Sequence, residues 1–534
     1  MCCRKNFPHV ILLVTLILGY SLCMLDIVTA KAEEQVMLQG WVTVTWGDES
    51  SGASTGPFYQ LTDTKGKETD LVITEPARRA IGDVLSLNRK YVGVQGTTNA
   101  ARAMTTNGSP PPVIVNSITV VPAPPSSALK MNTSDAPGVS GSRPWVSIMC
   151  KFSDIGNEPE NLSYFQDMYA NTKPGLDHYW REQSYDTVNI SGSTAAGWFE
   201  LDGSEAFYNP SDTRGGTDRR RLADDCIAAA DDVVDFSLYD GINMMFNSDF
   251  DNGYAWGGTR YMSLDGVSRA WSVTWEPPWG YSDITIIAHE MGHGFGLPHS
   301  SGKYGQTYDN EWDVMSDSWS NCTRSRDATY GCLGQHTISY HKDRLGWIPD
   351  QQQYLIGENS SVTLSMEQLA LPATGNYKMV RIPIAGSDSN YYTVEVRRQV
   401  GYDYKLPGQA VIIHEIDTFR TIPAQVIDVD GNGDTGDSGA RWEPGEVFSD
   451  AVNKVFVDIL SATATGFDIS VRLGDLLGDV DSNGSVGLDD VIIILQIVSG
   501  MQPSSTISLD ADVNDDQRLG LAEIIYGLQQ IAAQ

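Results

Sequence analysis

Apolar residues along this chain follow the two-residue period of strands in two long stretches and the longer period of helices between and after them. From 33 to about 120, short runs at 36–44, 58–61, 71–73 and 91–94 are divided by Gly, Asp and Asn turns, which predicts a small β-barrel. Residues 121–143 are rich in Pro, Ser and Gly and read as a linker open to proteolytic processing. The next stretch, 144–350, mixes predicted strands at 145–152, 187–192 and 241–246 with predicted helices at 176–184 and 221–234. It ends in a helix whose buried side carries Ile284, Ile287 and Met291, with Ser282 or Asp283 as its N-cap. Residues 351–474 return to strands, among them 391–396 and 410–416, and predict a β-sandwich. The last stretch, 475–534, holds two short apolar helices, each after an acidic loop. The expected fold class is therefore multidomain α+β: a barrel, an α/β domain, a β-sandwich and a small helical module.

A chain of 534 residues is too long for one core, and 41% hydrophobic with 9% aromatic residues is globular composition. The formal net charge of -32 argues against nucleic acid and anionic membrane surfaces as partners. Residues 1–32 read as a secretory signal: Arg4 and Lys5, an apolar stretch at 10–23, then Ala30-Lys31-Ala32 as a cleavage site. A lipoprotein signal ending at Cys23 is the alternative, against which Leu22 stands. No other stretch is long and apolar enough to span a bilayer, so a secreted, extracellular protein is expected. Beyond the signal, Cys150, Cys226, Cys322 and Cys332 are an even set in an exported chain, which suggests disulfides. Cys322 and Cys332 are close enough for a small loop, leaving Cys150 with Cys226. Sequence leaves the connectivity, and free thiols, open.

The candidate chemistry sits in the helix that ends the α/β stretch. His289-Glu290-Met291-Gly292-His293 places two imidazoles one turn apart on one helix face, where both can reach one zinc ion. Gly296 permits a sharp turn, and His299 returns as a third nitrogen ligand. Three protein ligands leave a fourth position for water, the arrangement of a catalytic zinc. Glu290 is the candidate catalytic base, taking that water's proton and passing it to a leaving amine. His178, His336, His341 and His414 lack partners at metal spacing and read as ordinary polar residues.

The tail repeats a second pattern. Asp479, Asp481, Asn483 and Asp490 stand at positions 1, 3, 5 and 12 of one loop, and Asp512, Asn514, Asp516 and Glu523 at the same positions of another, the spacing that wraps a loop around calcium. Gln517 replaces the glycine expected at position 6 of the second loop, which predicts a weaker site. The stretch from Asp428 to Asp434 begins like such a loop, but Gly439 stands where a carboxylate belongs, so it reads as an acidic turn.

These motifs carry two resemblances. H-E-x-x-H-x-x-G-x-x-H followed by Met315 is similar to the zinc site and methionine turn of metzincin proteases. Within that clan, Tyr179-Trp180-Arg181-Glu182-Gln183-Ser184-Tyr185, Val234-Asp235-Phe236-Ser237 and Leu345-Gly346-Trp347-Ile348 resemble the gametolysin-like and immune-inhibitor-A-like secreted metalloproteases, over about 145–475. His299 departs from the Asp often found at the third position in immune-inhibitor-A-like enzymes. Asp317 stands where some metzincins have a tyrosine, which leaves Tyr304 and Tyr308 as candidates for a transition-state tyrosine. The paired loops and helices of the tail resemble a dockerin module, which implies bound calcium and a cohesin-like or cell-surface partner. The barrel is compared with an OB fold. It reads as an accessory module or a pro-region; with no cysteine between Glu33 and Met149, a thiol there cannot hold the zinc latent, whereas a carboxylate could. The resemblances imply a zinc endopeptidase acting on extracellular proteins or peptides. The alternatives are a silent, scaffold-attached binding protein and a zinc hydrolase of non-peptide amides.

Overall fold

Sixteen residues of extended chain, β1 (Glu34–Glu49), tie the first two parts of the protein together. The computed structural model describes residues 34–49, 54–98, 111–124, 138–209, 216–251, 253–304, 307–372, 374–504, 507–514 and 516–533. The signal at 1–32 and the middle of the linker lie outside them. β1 is followed by β2 (Ser54–Thr62), β3 (Glu68–Ile73), α1 (Glu75–Ile81), β4 (Tyr91–Thr98) and β5 (Val113–Val120). β1 pairs with both β2 and β4, and β3 pairs parallel with β5, so the five strands close in the order β1-β2-β3-β5-β4-β1. Inward-facing Val42, Val44, Tyr59, Leu61, Val92, Val94 and Val113 fill this barrel. α1 starts on Thr74, whose hydroxyl accepts from the N–H of Ala77.

The α/β body is built on β6 (Trp145–Lys151), α2 (Leu176–Ser184), β7 (Thr194–Glu200), α3 (Arg219–Ala230), β8 (Gly241–Phe246), β9 (Tyr254–Leu264), β10 (Val267–Glu276) and α4 (Ile284–Phe295). Its strands lie in the order β9-β10-β8-β6-β7. β10, β8, β6 and β7 run parallel, while β9 is antiparallel to β10 and would form the edge. That edge is taken by β1: Thr45 to Glu49 pair antiparallel with Gly258 to Tyr254. The barrel is thus continuous with the body's sheet, not a separate bead as the strand pattern implied. One sheet face packs with α3 around Val146, Leu222, Phe236 and Trp271, and the other with α2 and α4 around Trp145, Trp180, Ile287 and Met291. Disulfides join Cys150 to Cys226 and Cys322 to Cys332.

Two predicted elements are corrected. Only Val188–Asn189 of 187–192 is extended, and the strand that joins the sheet is β7, a few residues later. Asp283 does precede α4, but its carboxylate accepts from the N–H of Cys332 at 2.7 Å and does not cap the helix. The hairpin β9–β10 is an element the periodicity missed.

The third part holds two sheets around a shared core. β11 (Ser300–Ser301), β12 (Gln353–Leu355), β13 (Ser360–Glu367), β14 (Met379–Pro383), β15 (Asn390–Arg397), β16 (Ala410–Asp417), β17 (Ala424–Val426), β18 (Val447–Asp450), β19 (Val455–Ala462) and β20 (Gly466–Leu473) make it up. The sheets run β11-β17-β16-β15-β14-β12 and β13-β20-β19-β18, enclosing Val394, Val411, Val457 and Ile469. β11 comes from the turn just after His299, so the sandwich reaches across the boundary expected at 350. The tail packs α5 (Leu488–Val498) on α6 (Leu521–Ala533) around Ile494, Ala511 and Ile524. Among the described residues no helix is long and apolar enough to cross a membrane.

Candidate metal centre

α4 is buried along its whole length, and Gly296 ends it in the left-handed conformation at φ +100°. That turn brings His299 back to the helix. The Nε2 atoms of His289, His293 and His299 then lie 3.2, 3.2 and 3.0 Å from one another. Three nitrogens at zinc-ligand distance from one tetrahedral ion would stand about 3.3 Å apart. The outer nitrogens set two of the rings: His289 Nδ1 lies 2.7 Å from the Val314 carbonyl and His293 Nδ1 2.7 Å from that of Leu297. Donation to those carbonyls leaves both Nε2 lone pairs facing the centre.

Met315 is fully buried below this cluster, against α4: a Cβ added at Gly292 would meet its sulfur at 2.4 Å. Asp313 braces that turn, accepting from the N–H of Met315 at 3.0 Å, the Ser300 hydroxyl at 2.6 Å and the Thr337 hydroxyl at 2.7 Å. His341 Nδ1 stands 3.1 Å from the same carboxylate. Burial alone would raise the Asp313 carboxyl, but His341 and these donors hold it below the usual range. His341 therefore serves the turn. His336 pairs with Glu182 at 3.0 Å, His178 with the Tyr402 hydroxyl at 3.2 Å and His414 with Asn310 at 3.2 Å, so these histidines have protein partners, in keeping with the sequence reading.

Glu290 is fully buried, and neither of its oxygens takes a hydrogen bond from an N–H or O–H donor; the carboxyl it meets is that of Asp48. Burial, with Asp48 and Glu276 nearby, pushes its carboxyl well above the normal range. Glu276, at the end of β10, is likewise buried, and burial raises it to about 8 against the opposing Thr274 hydroxyl.

Three further groups come from places the sequence did not single out together. The Asp48 carboxylate, on β1, lies over the open face of the triangle: Oδ1 is 2.9 Å from His299 Nε2, and Oδ2 is 3.4 and 3.5 Å from those of His289 and His293. Burial would raise it, but the His299 and His289 rings hold it well below its ordinary value. Trp46 stacks on His293 with ring centres 5.4 Å apart and leans on His299 at 4.9 Å. Tyr308, at φ +58°, donates its hydroxyl to Asp48 and sets its ring 5.6 Å from that of His299. Of the two tyrosine candidates, Tyr308 is therefore at the site; Tyr304 is not, since its hydroxyl is given to Asp428.

In the tail, the carboxylates of Asp479, Asp481 and Asp490 converge to within 4.8 Å of one another. Asp490 accepts from the N–H groups of Val480 and Gly487 at 2.7 and 2.8 Å, closing the loop onto α5. In the second loop Glu523 does the same for Val513 at 3.0 Å and Gly520 at 2.6 Å. Gln517 takes φ +60° where the first loop has Gly484 at φ +90°, so the bend is kept at a steric cost. Asp428, Asp430 and Asp437 also gather within 4.8 Å, with Asp437 in a position the sequence reading did not use.

No protein-family model matches the chain, and no curated protein matches it.

Proposed function

We propose that this chain is an exported zinc-dependent endopeptidase of the metzincin kind, resembling the gametolysin-like and immune-inhibitor-A-like enzymes, with a calcium-stabilised, dockerin-like tail. The observation that carries the reading is the Nε2 triangle together with the buried Glu290 carboxyl of the same helix, on which no N–H or O–H donor is spent. Three borderline nitrogen donors on a buried turn suit zinc, and a buried carboxyl held by no N–H or O–H donor suits proton transfer. Zinc, when bound by His289, His293 and His299, supplies Lewis acidity toward the scissile carbonyl and the attacking water. Glu290 accepts the proton of that water and delivers it to the leaving nitrogen. Tyr308, whose hydroxyl lies on Asp48 at the same face, is the candidate donor to the carbonyl oxygen as charge grows on it.

The two disulfides fit an extracellular location. In the tail, Leu488, Ile492 and Leu495 on α5 and their repeat partners Leu521, Ile525 and Leu528 on α6 are all exposed, which supports a cohesin-like or cell-surface partner.

The test compares the chain cut between Pro124 and Gly138 with the same preparation of Glu290→Ala, by casein digestion and zinc content. Digestion by the parent alone, falling at least about a hundredfold in the variant, with equal zinc in both, is the expected result. Equal digestion by both would overturn the assignment. Zinc in both with no digestion would favour the silent binding protein, and turnover of small amides alone the non-peptide hydrolase.

A further inference from the structure

Cations are scarce in this chain, 36 against 68 carboxylates, yet one of them is buried without a carboxylate of its own. Lys405, in the turn between β15 and β16, is 2% exposed. The carboxylates that act on it from nearby are spent elsewhere. Asp403 is paired with Arg397 at 2.8 Å, and Glu311 accepts from the Asn321 amide at 2.8 Å. Asp317 accepts from the N–H groups of Trp319 and Ser320, and Asp283 from that of Cys332. The Lys405 ammonium donates to the Ser318 carbonyl at 2.6 Å, and its other two contacts among the described residues are disulfide sulfurs, Cys332 at 3.6 Å and Cys322 at 3.8 Å.

A disulfide sulfur is a weak acceptor without charge, so it does not compensate a buried ammonium. Burial accordingly draws Lys405 down to about 8. A thiolate in the same place would be its counter-ion. A neighbouring ammonium lowers the pKa of a thiol, and a thiol of lower pKa leaves faster when a disulfide is attacked. The cation therefore favours opening of this one bond. The two ends of the bond also differ in access. Cys332 is 1% exposed, whereas Cys322 is partly exposed and is followed by the exposed Thr323 and Arg324. The other disulfide is fully buried at both ends, Cys150 on β6 and Cys226 on α3.

We infer that the Cys322–Cys332 disulfide is a thiol-exchange site: a low-molecular-weight thiol attacks at Cys322, and Cys332 leaves as a thiolate against the Lys405 ammonium. The inference is independent of the zinc-peptidase reading. In the first step the incoming thiolate bonds to Cys322 Sγ, the S–S bond breaks, and its electron pair stays on Cys332. A second thiolate then takes the small molecule off Cys322. Two thiols are thereby oxidised to one disulfide and the protein disulfide is reduced; one of their protons passes to Cys322 and the other to solvent, while Cys332 stays ionised. The loop so opened holds the start of α4. The Tyr330 carbonyl accepts from the N–H of Ile284 at 2.9 Å, and the Cys332 N–H donates to Asp283 at 2.7 Å.

The test incubates the full chain with reduced glutathione, traps free cysteines by alkylation and follows each disulfide by peptide mass, in the parent and in Lys405→Met. That substitution approximates the side chain's length and removes an uncompensated charge, so the fold is expected to hold, with the urea midpoint as the check. The expected result is a first mixed disulfide on Cys322 and opening of this bond ahead of Cys150–Cys226, with opening about tenfold slower in Lys405→Met. Exposure alone would give the order of opening; only the cation gives the fall in the variant. Equal rates in parent and variant, or glutathione attached to Cys332, would overturn the site. The position of the mixed disulfide is read on the parent alone, so it decides even where the variant does not fold. Amide hydrogen exchange at Ile284 should rise in the opened parent, and unchanged exchange there would overturn the loop's hold on α4.

Discussion

The barrel meets the α/β body through a strand edge and through separate ion pairs, from Glu68 with Arg260, nearly buried at 3.1 Å, to pairs that water partly reaches. Arg344 and Asp83 are 2.7 Å apart with side chains 16% and 27% exposed. The sandwich meets the same body through charges that water does not reach. Arg397 is fully buried, paired with Asp403 at 2.8 Å and Glu395 at 3.0 Å, and it donates to the carbonyls of His336 and Trp312, the latter just before the Met315 turn. Glu395 in turn accepts from the N–H of Ser339. Buried charges of this kind hold only while every partner is present, whereas half-wet pairs contribute little and can be lost singly. The difference teaches which β region is built into the body and which is attached to it.

The largest break in that comparison is expected from Arg397→Ala. It leaves Glu395 and Asp403 buried without a cation and should cost about 3–5 kcal/mol, read as a lower urea midpoint for the body and sandwich together. Separate transitions for the two, with the body unchanged, would mean the sandwich is a detachable module after all. A middle effect belongs to Arg89 on the barrel, whose guanidinium donates to Ser272 at 2.8 Å and to the Gly294 carbonyl near the end of α4 at 2.7 Å. Arg89→Ala should weaken retention of the cut barrel by about 2 kcal/mol, some thirtyfold in Kd by calorimetry, while the body's own midpoint stays fixed. A matching fall in the body's midpoint would make Arg89 structural for both.

The smallest effect sharpens the sandwich side through pH. Glu182, on α2, accepts from Tyr402 N at 2.9 Å and pairs with His336. Burial opposes its charge, but those partners hold the carboxyl down to about 2, below its ordinary 4.5. Its contribution is thus complete above about pH 4.5 and is lost as pH falls toward 2. Glu182→Gln should flatten the acid limb of thermal stability in that window and leave its slope near pH 7 unchanged. An unaltered acid limb would remove Glu182 from the docking network.

What could be read from the sequence was local. The His289–His299 turn with its glycine, the helix at 176–184 and the strand at 241–246 declare themselves because spacing along the chain sets them. The hairpin β9–β10 did not, since Gly257 and Gly258 interrupt its alternation. Those glycines answer to neighbours far away in sequence, Glu290 and Val44, that leave no room for a side chain. Asp48 was hidden for a related reason. Within Trp46-Gly47-Asp48-Glu49 it resembles the start of a turn, and its partners are brought to it only by strand register. The idea that a carboxylate could serve as a latch followed from the missing cysteine; which carboxylate did not. Asp313 and His341 likewise meet only in the folded chain.

The single crossing between Pro124 and Gly138 has a consequence in mass action. While it is intact, the barrel sits at an effective concentration on the order of millimolar beside its own docking strand. A contact with a Kd of about a micromolar would then keep Asp48 off the three imidazoles about one part in a thousand of the time. After a cut there, the same contact faces only the bulk concentration of the protein, and where that lies below the Kd the barrel drifts off without any contact being weakened. Dilution would complete what a single hydrolysed bond begins.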